Sequence, residues 1–122
     1  MQAVWIEIPV KDMERAMQFY QAVFKLPPTE ITTDATRRTT TLINTSPEGN
    51  PGISLNQTQN FAPSDKGPLV YLDAGEDLTQ PLNRVEAAGG TIIEPKTAMG
   101  DMGNYATIRD TEGNVFALYS YQ

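Results

Sequence analysis

The chain has 122 residues, enough for one compact domain burying roughly two-thirds of its unfolded surface. It contains no cysteine and no histidine, which excludes disulfides, thiolate nucleophiles and every mechanism built on a serine–histidine or cysteine–histidine pair. The net charge of −6, with the longest basic run only Arg37-Arg38, argues against nucleic-acid binding, and no apolar stretch approaches the ~20 residues of a membrane span.

The missing imidazoles and thiolates also remove the usual ligands of zinc, nickel, copper and non-haem iron, leaving an oxygen-only magnesium or calcium site as the alternative. No cofactor is expected. Acid–base chemistry would fall to carboxylates, tyrosine or lysine. Lack of cysteine fits a cytoplasmic protein. A strand pattern opens at once, so no leader segment is expected.

In chain order, Val4, Ile6, Ile8 and Val10 alternate with Trp5 and Glu7, a strand with one buried face. Asp12 reads as the N-cap of a helix whose stripe is Met13, Ala16, Met17, Tyr20 and Phe24, and Pro27-Pro28 stop it near Leu26. Short strands are expected at Glu30 to Thr33, Thr39 to Asn44 and Gly52 to Asn56, the last two separated by the turn residues Ser46-Pro47-Glu48-Gly49-Asn50. Gln57 to Lys66 reads as a polar linker. The pattern then restarts. Pro68 to Asp73 is a strand, and Leu78, Leu82, Val85 and Ala88 mark a second helix, capped by Asp77 or Thr79 and ended by Gly89-Gly90. Thr91 to Glu94 is a strand, Ala98 to Asn104 a loop, and Tyr105 to Arg109 and Val115 to Tyr121 a hairpin across Asp110-Thr111-Glu112-Gly113-Asn114.

The order strand, helix, three strands occurs twice, offset by about sixty residues. This predicts an α+β fold of two βαβββ units, a curved and partly open mixed-sheet barrel with the helices outside and a concave cavity. A single domain spans 1–122, with unit one at about 1–56, the linker at 57–66 and unit two at about 67–122.

The opening segment Trp5 to Tyr20, with its Asp12, Ala16 and Phe19-Tyr20, resembles the first strand and helix of the vicinal oxygen chelate superfamily, which includes glyoxalase and bleomycin resistance proteins. The closing segment Ile108 to Leu118 resembles that family's aspartate–proline–acid–glycine–asparagine hairpin, with Thr111 in place of proline, and Gly89-Gly90-Thr91 is similar to the turn after its second helix. Metal-dependent members carry one ligand on each of four strands. The resemblance places Trp5 at the first of these positions, Ser54 near the second, Pro68 near the third and Ala117 at the fourth, which implies a branch without the metal site.

Two classes of function follow. One is a binding module that holds a small, partly aromatic organic molecule against Trp5, Glu7, Tyr105, Ala117, Tyr119 and Tyr121. The other is a metal-independent lyase or isomerase with Glu7 as general base and a tyrosine as acid partner. A dimeric scaffold without a small ligand is a third. Glu7 also reads as a solvated acid or a partner of Arg109, and the tyrosines as core or subunit packing. Met99 to Asn104 reads as a lid or as a plain connection. Arg37 and Arg38 read as anion ligands or as turn residues. The resemblance implies a homodimer, with Thr39 to Asn44 a candidate contact edge.

Overall fold

The computed structural model describes residues 1–122. Unit one comprises β1 (Trp5–Pro9), α1 (Met13–Phe24), β2 (Thr32–Thr33), β3 (Arg37–Ile43) and β4 (Gly52–Thr58). Unit two repeats the order as β5 (Tyr71–Asp73), α2 (Thr79–Val85), β6 (Thr91–Ala98), β7 (Asn104–Arg109) and β8 (Val115–Ser120). Each unit forms one four-stranded sheet, ordered β1-β4-β3-β2 and β5-β8-β7-β6. The first strand of each unit lies parallel beside the last, and the other pairs are antiparallel. The result is the expected α+β arrangement, an open rather than a closed barrel. No helix is long and apolar enough to cross a membrane.

The helix boundaries follow from local chemistry. Asp12 is extended and its carboxylate accepts from the Arg15 N–H, satisfying a donor that the first turn leaves free. At the other end Lys25 adopts the left-handed conformation (φ 54°), and the N–H groups of Lys25 and Leu26 both reach the Gln21 carbonyl. In front of α2, Asp77 accepts from the Thr79 N–H, while the Leu78 N–H is taken by the buried Ser120 hydroxyl.

One apolar core joins the two units. Phe19, Tyr20 and Val23 of α1 pack with Ile8 and Leu55 of the first sheet, and Leu82 and Val85 of α2 with Ile108 and Leu118 of the second. Gly90 lets the chain pass close by: a Cβ there would lie 2.5 Å from the Phe19 ring and 2.6 Å from the Arg109 carbonyl.

A polar clasp also crosses between units. The β7–β8 turn, Asp110 to Asn114, is buried against the start of α1. The Glu112 carboxylate accepts from the backbone N–H groups of Lys11 (2.8 Å) and Asp12 (2.9 Å) and from the Arg15 guanidinium (2.7 and 3.0 Å). Asn114 donates to the Pro9 carbonyl, and the buried Tyr20 hydroxyl donates to Asp110 at 2.6 Å. Burial alone would raise the Glu112 carboxyl. The Arg15 guanidinium, the two backbone N–H groups and the Thr111 hydroxyl outweigh it and hold the group at about 2. Burial, followed by the adjacent Asp110 charge, pushes the Tyr20 hydroxyl well above its ordinary range. The family-like hairpin motif is thus an inter-unit fastening.

Several expected boundaries move. β8 ends at Ser120, leaving Tyr121 exposed beyond it. β5 is only Tyr71–Asp73, with Pro68 outside it, and Val4 lies exposed ahead of β1. The strand expected at Thr39 to Asn44 as a contact edge lies inside its sheet, because β2 pairs with Arg38 and Thr39 on its outer side. β6 runs on to Ala98 through two register shifts.

Candidate functional site

Alternation along the strands decides which side chains leave the core. Ile8 is buried under α1, so Trp5 and Glu7 stand on the opposite, helix-free face of β1. Parallel pairing sets Gly52 beside Trp5 and Ser54 beside Glu7. The indole N–H of Trp5 donates to the Ser54 hydroxyl at 3.0 Å, and its ring lies across Gly52, where a Cβ would come within 2.4 Å of it. Only glycine permits that contact. The residue is nevertheless 43% exposed. One step along, the Glu7 carboxylate accepts from the Asn56 amide at 2.7 Å. This fixes the orientation of the amide and leaves the buried Asn56 Oδ1 without a partner.

In unit two, Ala106, Ile108, Phe116 and Leu118 face the core, so Tyr105, Thr107, Ala117 and Tyr119 occupy the helix-free face. Tyr71 pairs with Ala117 and shares that face. The Tyr105 hydroxyl and the Thr107 hydroxyl both donate to Glu94, each at 3.0 Å. The Glu94 carboxylate, by hydrogen bond and charge, raises the Tyr105 hydroxyl above its usual value. Tyr119 donates to the Met102 carbonyl at 2.7 Å. That bond ties down the loop read as a lid or as a plain connection, which holds a 3-10 turn at Gly100–Met102.

A space between the units reaches from these faces to the core-facing Ile6 and Ile8. A cavity of about 460 Å³ between the units is lined by Glu7 from the first and by Glu94, Thr107 and Phe116 from the second, with Phe61 and Leu69 from the connecting segments. Glu7 does not pair with Arg109, whose nearest acid is Asp65 at 3.9 Å. Of the residues expected at the site, only Glu7 lines this cavity; Trp5, Tyr105, Ala117 and Tyr119 lie on the helix-free faces of their own sheets, and Tyr121 lies beyond β8. Arg37 and Arg38 line a separate cavity, near Asp34 and bonded to Glu14 respectively. Three contributors were not foreseen. Tyr71 was hidden in an apolar run. Asn56 follows from the same alternation as Ser54. Glu94 could not be phased, because the register shift beside it turns the strand over.

A model of the Glyoxalase/Bleomycin resistance protein/Dioxygenase superfamily matches residues 2–118. The chain belongs to that superfamily. Among curated protein sequences none matches it. In structure it is similar to the fosfomycin resistance protein FosX of Listeria monocytogenes, with a TM-score of 0.75 and 13% identity over 99% of this chain and 94% of that one. It is also similar to a glyoxalase-related enzyme from Fulvimarina pelagi, with a TM-score of 0.70 and 16% identity over 98% of this chain and 88% of that one. Against a glyoxalase I mutant of Zea mays the TM-score is 0.77 at 17% identity, over 97% of this chain but 45% of that one. These likenesses establish the fold.

The four positions at which metal-dependent superfamily members carry ligands do not fit a metal here. The Trp5 indole is a donor only, Ala117 has no ligand atom, and Ser54 is engaged by Trp5. On β5 the neighbour of Ala117 is Tyr71, not Pro68. Nowhere in the chain do three acidic side chains gather in a metal-holding group.

Proposed function

We propose that the helix-free faces bind a small, partly aromatic organic molecule without a metal ion. The observation that carries this reading is the way the aromatic rings are held. Trp5, Tyr105 and Tyr119 each have their polar end tied to a neighbour, while Trp5 and Tyr71 remain about half exposed. Rings fixed in place yet open to solvent offer stacking surface without an ordering cost on binding. The cavity beside them has a size suited to a drug-like molecule.

Trp5 is the only tryptophan, so its fluorescence reports on this face alone. Titration with a panel of planar aromatic compounds in the presence of a chelator is expected to give saturable quenching by at least one. The Tyr71→Ala variant is expected to weaken that binding about fivefold or more. Linear, unsaturable quenching by the whole panel would refute the proposal.

A second reading rests on Glu7, which lines the cavity between units. There a carboxylate can take a proton from a carbon next to a carbonyl, with the cavity's Thr107 or the nearby Tyr105 hydroxyl facing the carbonyl oxygen. Glu7→Gln separates the readings: turnover lost with ligand affinity retained marks the enzyme, and no turnover by the wild type leaves the binding module. Assembly as a homodimer belongs to the same proposal, and sedimentation of the purified chain tests it.

A further inference from the structure

The two units repeat, and so do their hairpin turns. In unit two the Asp110 N–H donates to the Asn114 carbonyl, and the Asn114 N–H returns to the Asp110 carboxylate. In unit one the Ser46 N–H donates to the Asn50 carbonyl, and the Asn50 N–H returns to the Ser46 hydroxyl. Gly49 and Gly113 both take positive φ, 89° and 100°. These are the same turn, with Glu48 at the place of Glu112. Yet Glu112 and Asn114 are buried in the clasp, whereas Glu48 and Asn50 are exposed and bond to nothing in unit two. The second helix also offers no tyrosine to match Tyr20.

Between α1, β5 and the strand ends that flank this free turn, the units leave a gap. A cavity of about 300 Å³ lies there, on the helix side of the sheets and apart from the site proposed above. Its walls are apolar: Tyr20 and Phe24 of α1, Leu42, Ile43 and Ile53 beside the free turn, and Leu72 of β5. Tyr20 and Phe24 stack with planes 9° apart, and Ile43 is 40% exposed. The one charged residue in the lining is Asp73. It accepts from the Gly75 N–H through one oxygen and has no cationic partner. Phe24 and Asp73 also border an adjoining surface cavity that contains Glu76, Asp77 and Arg84. Of its charges, Asp77 is paired with Lys96, and the Arg84 Nε is spent on the Val23 carbonyl.

We infer that this unclasped seam is a second binding site, for a small lipophilic amine: an apolar chain or single ring between α1 and the sheets, with its ammonium group at Asp73. An apolar pocket wins affinity from buried carbon, and a free carboxylate at its rim selects the sign of the head group. A carboxylate-headed ligand would meet Asp73 and Glu76 with the wrong charge. The site goes beyond the aromatic-face proposal and is tested separately, since its lining and that of the cavity between the units have only the core residue Ile8 in common.

The test is methyl NMR and calorimetry of the whole chain with phenethylamine and with hydrocinnamate, which carries a similar body and the opposite charge. Phenethylamine is expected to shift the methyl signals of Ile43, Ile53 and Leu72, leave Trp5 fluorescence unchanged, and bind at least tenfold tighter than hydrocinnamate. Asp73→Asn keeps the Gly75 hydrogen bond and is expected to weaken the amine about fivefold or more. Ile53→Phe, which fills the seam, is expected to abolish binding. Equal affinity for the two compounds, or an unchanged affinity in Asp73→Asn, overturns the proposal. So do shifts confined to the Trp5 face, or self-association that protects the same methyls and shows the seam to be a contact between copies.

Discussion

The β7–β8 turn and the β3–β4 turn share a backbone and differ in what they hold. The first carries Asp110, Glu112 and Asn114 into a buried network with α1 and the end of β1. The second presents Ser46, Glu48 and Asn50 to solvent. Neither turn geometry nor the presence of an acid makes the difference. What matters is whether the opposing helix supplies donors. The segment entering α1 brings two backbone N–H groups and the Arg15 guanidinium to the buried Glu112 charge, which is fully satisfied, and the Tyr20 hydroxyl to Asp110. α2 starts with its N–H groups already taken by Asp77 and Ser120. A duplicated fold has thus kept one fastening and opened the other, and the helix-side cavity lies on the open side.

The largest effect is expected from breaking the closed side. Glu112→Ala removes the acceptor of five hydrogen bonds and leaves the part-buried N–H groups of Lys11 and Asp12 without their partner, at a cost of about 3–5 kcal/mol in urea denaturation. The pH dependence has a definite sign. The Glu112 carboxyl drops from an ordinary 4.5 to about 2 on folding, so its contribution is complete above about 4.5 and is lost as pH falls towards 2. That shift corresponds to about 3 kcal/mol. Glu112→Gln is expected to flatten the acid limb of the stability curve; an unchanged limb would show that another carboxylate carries it.

Gly90→Ala is expected to cost about 2 kcal/mol through its clash with Phe19 and the Arg109 carbonyl, measured as a shift in thermal midpoint. Tyr20→Phe is smaller, about 1 kcal/mol, because Asp110 keeps its bonds to Asn114 and to the Glu112 N–H. Gly52→Ala works on the other face. The added methyl displaces the Trp5 ring, and the emission of this single tryptophan is expected to shift with little change in stability. A loss of more than about 2 kcal/mol would mean the ring is core rather than binding surface.

Much of the fold could be read from periodicity. The Trp5/Glu7 alternation, the α1 stripe and the Asp12 cap are local signals, and the structure retains all three. The turn residues 110–114 were visible as a motif, but not their role, because Lys11 and Asp12 lie a hundred residues away and donate through the backbone, which leaves no trace in side-chain identity. The face that each strand residue occupies was legible where strands stay in phase, as at Trp5, Ala117 and Tyr119. It was illegible where they do not. Glu94 follows a register shift, Tyr121 falls past the end of β8, and β3 is covered by a β2 of two threonines. A missing contact such as the open clasp has no sequence signature. Ser46 to Asn50 reads as a competent turn, and only the packed structure shows that nothing meets it.

The smallest expected effect is the most discriminating. Glu48→Gln removes the charge at the place where unit two has Glu112, and the exposed carboxylate has no partner to lose, so its stability change should stay within about 0.5 kcal/mol and its acid limb should match the wild type. Set beside Glu112→Gln, this pair measures the asymmetry directly. The same substitution on the same turn should differ by several-fold in cost. If Glu48→Gln instead costs as much as its counterpart, then the first turn also closes onto α2 in solution. The seam between Ile43, Ile53 and Leu72 would then be sealed, leaving no room for an amine. Near-neutrality, with methyl signals along the seam still responding to phenethylamine, means that the clasp is single and the opening is a property of the folded chain.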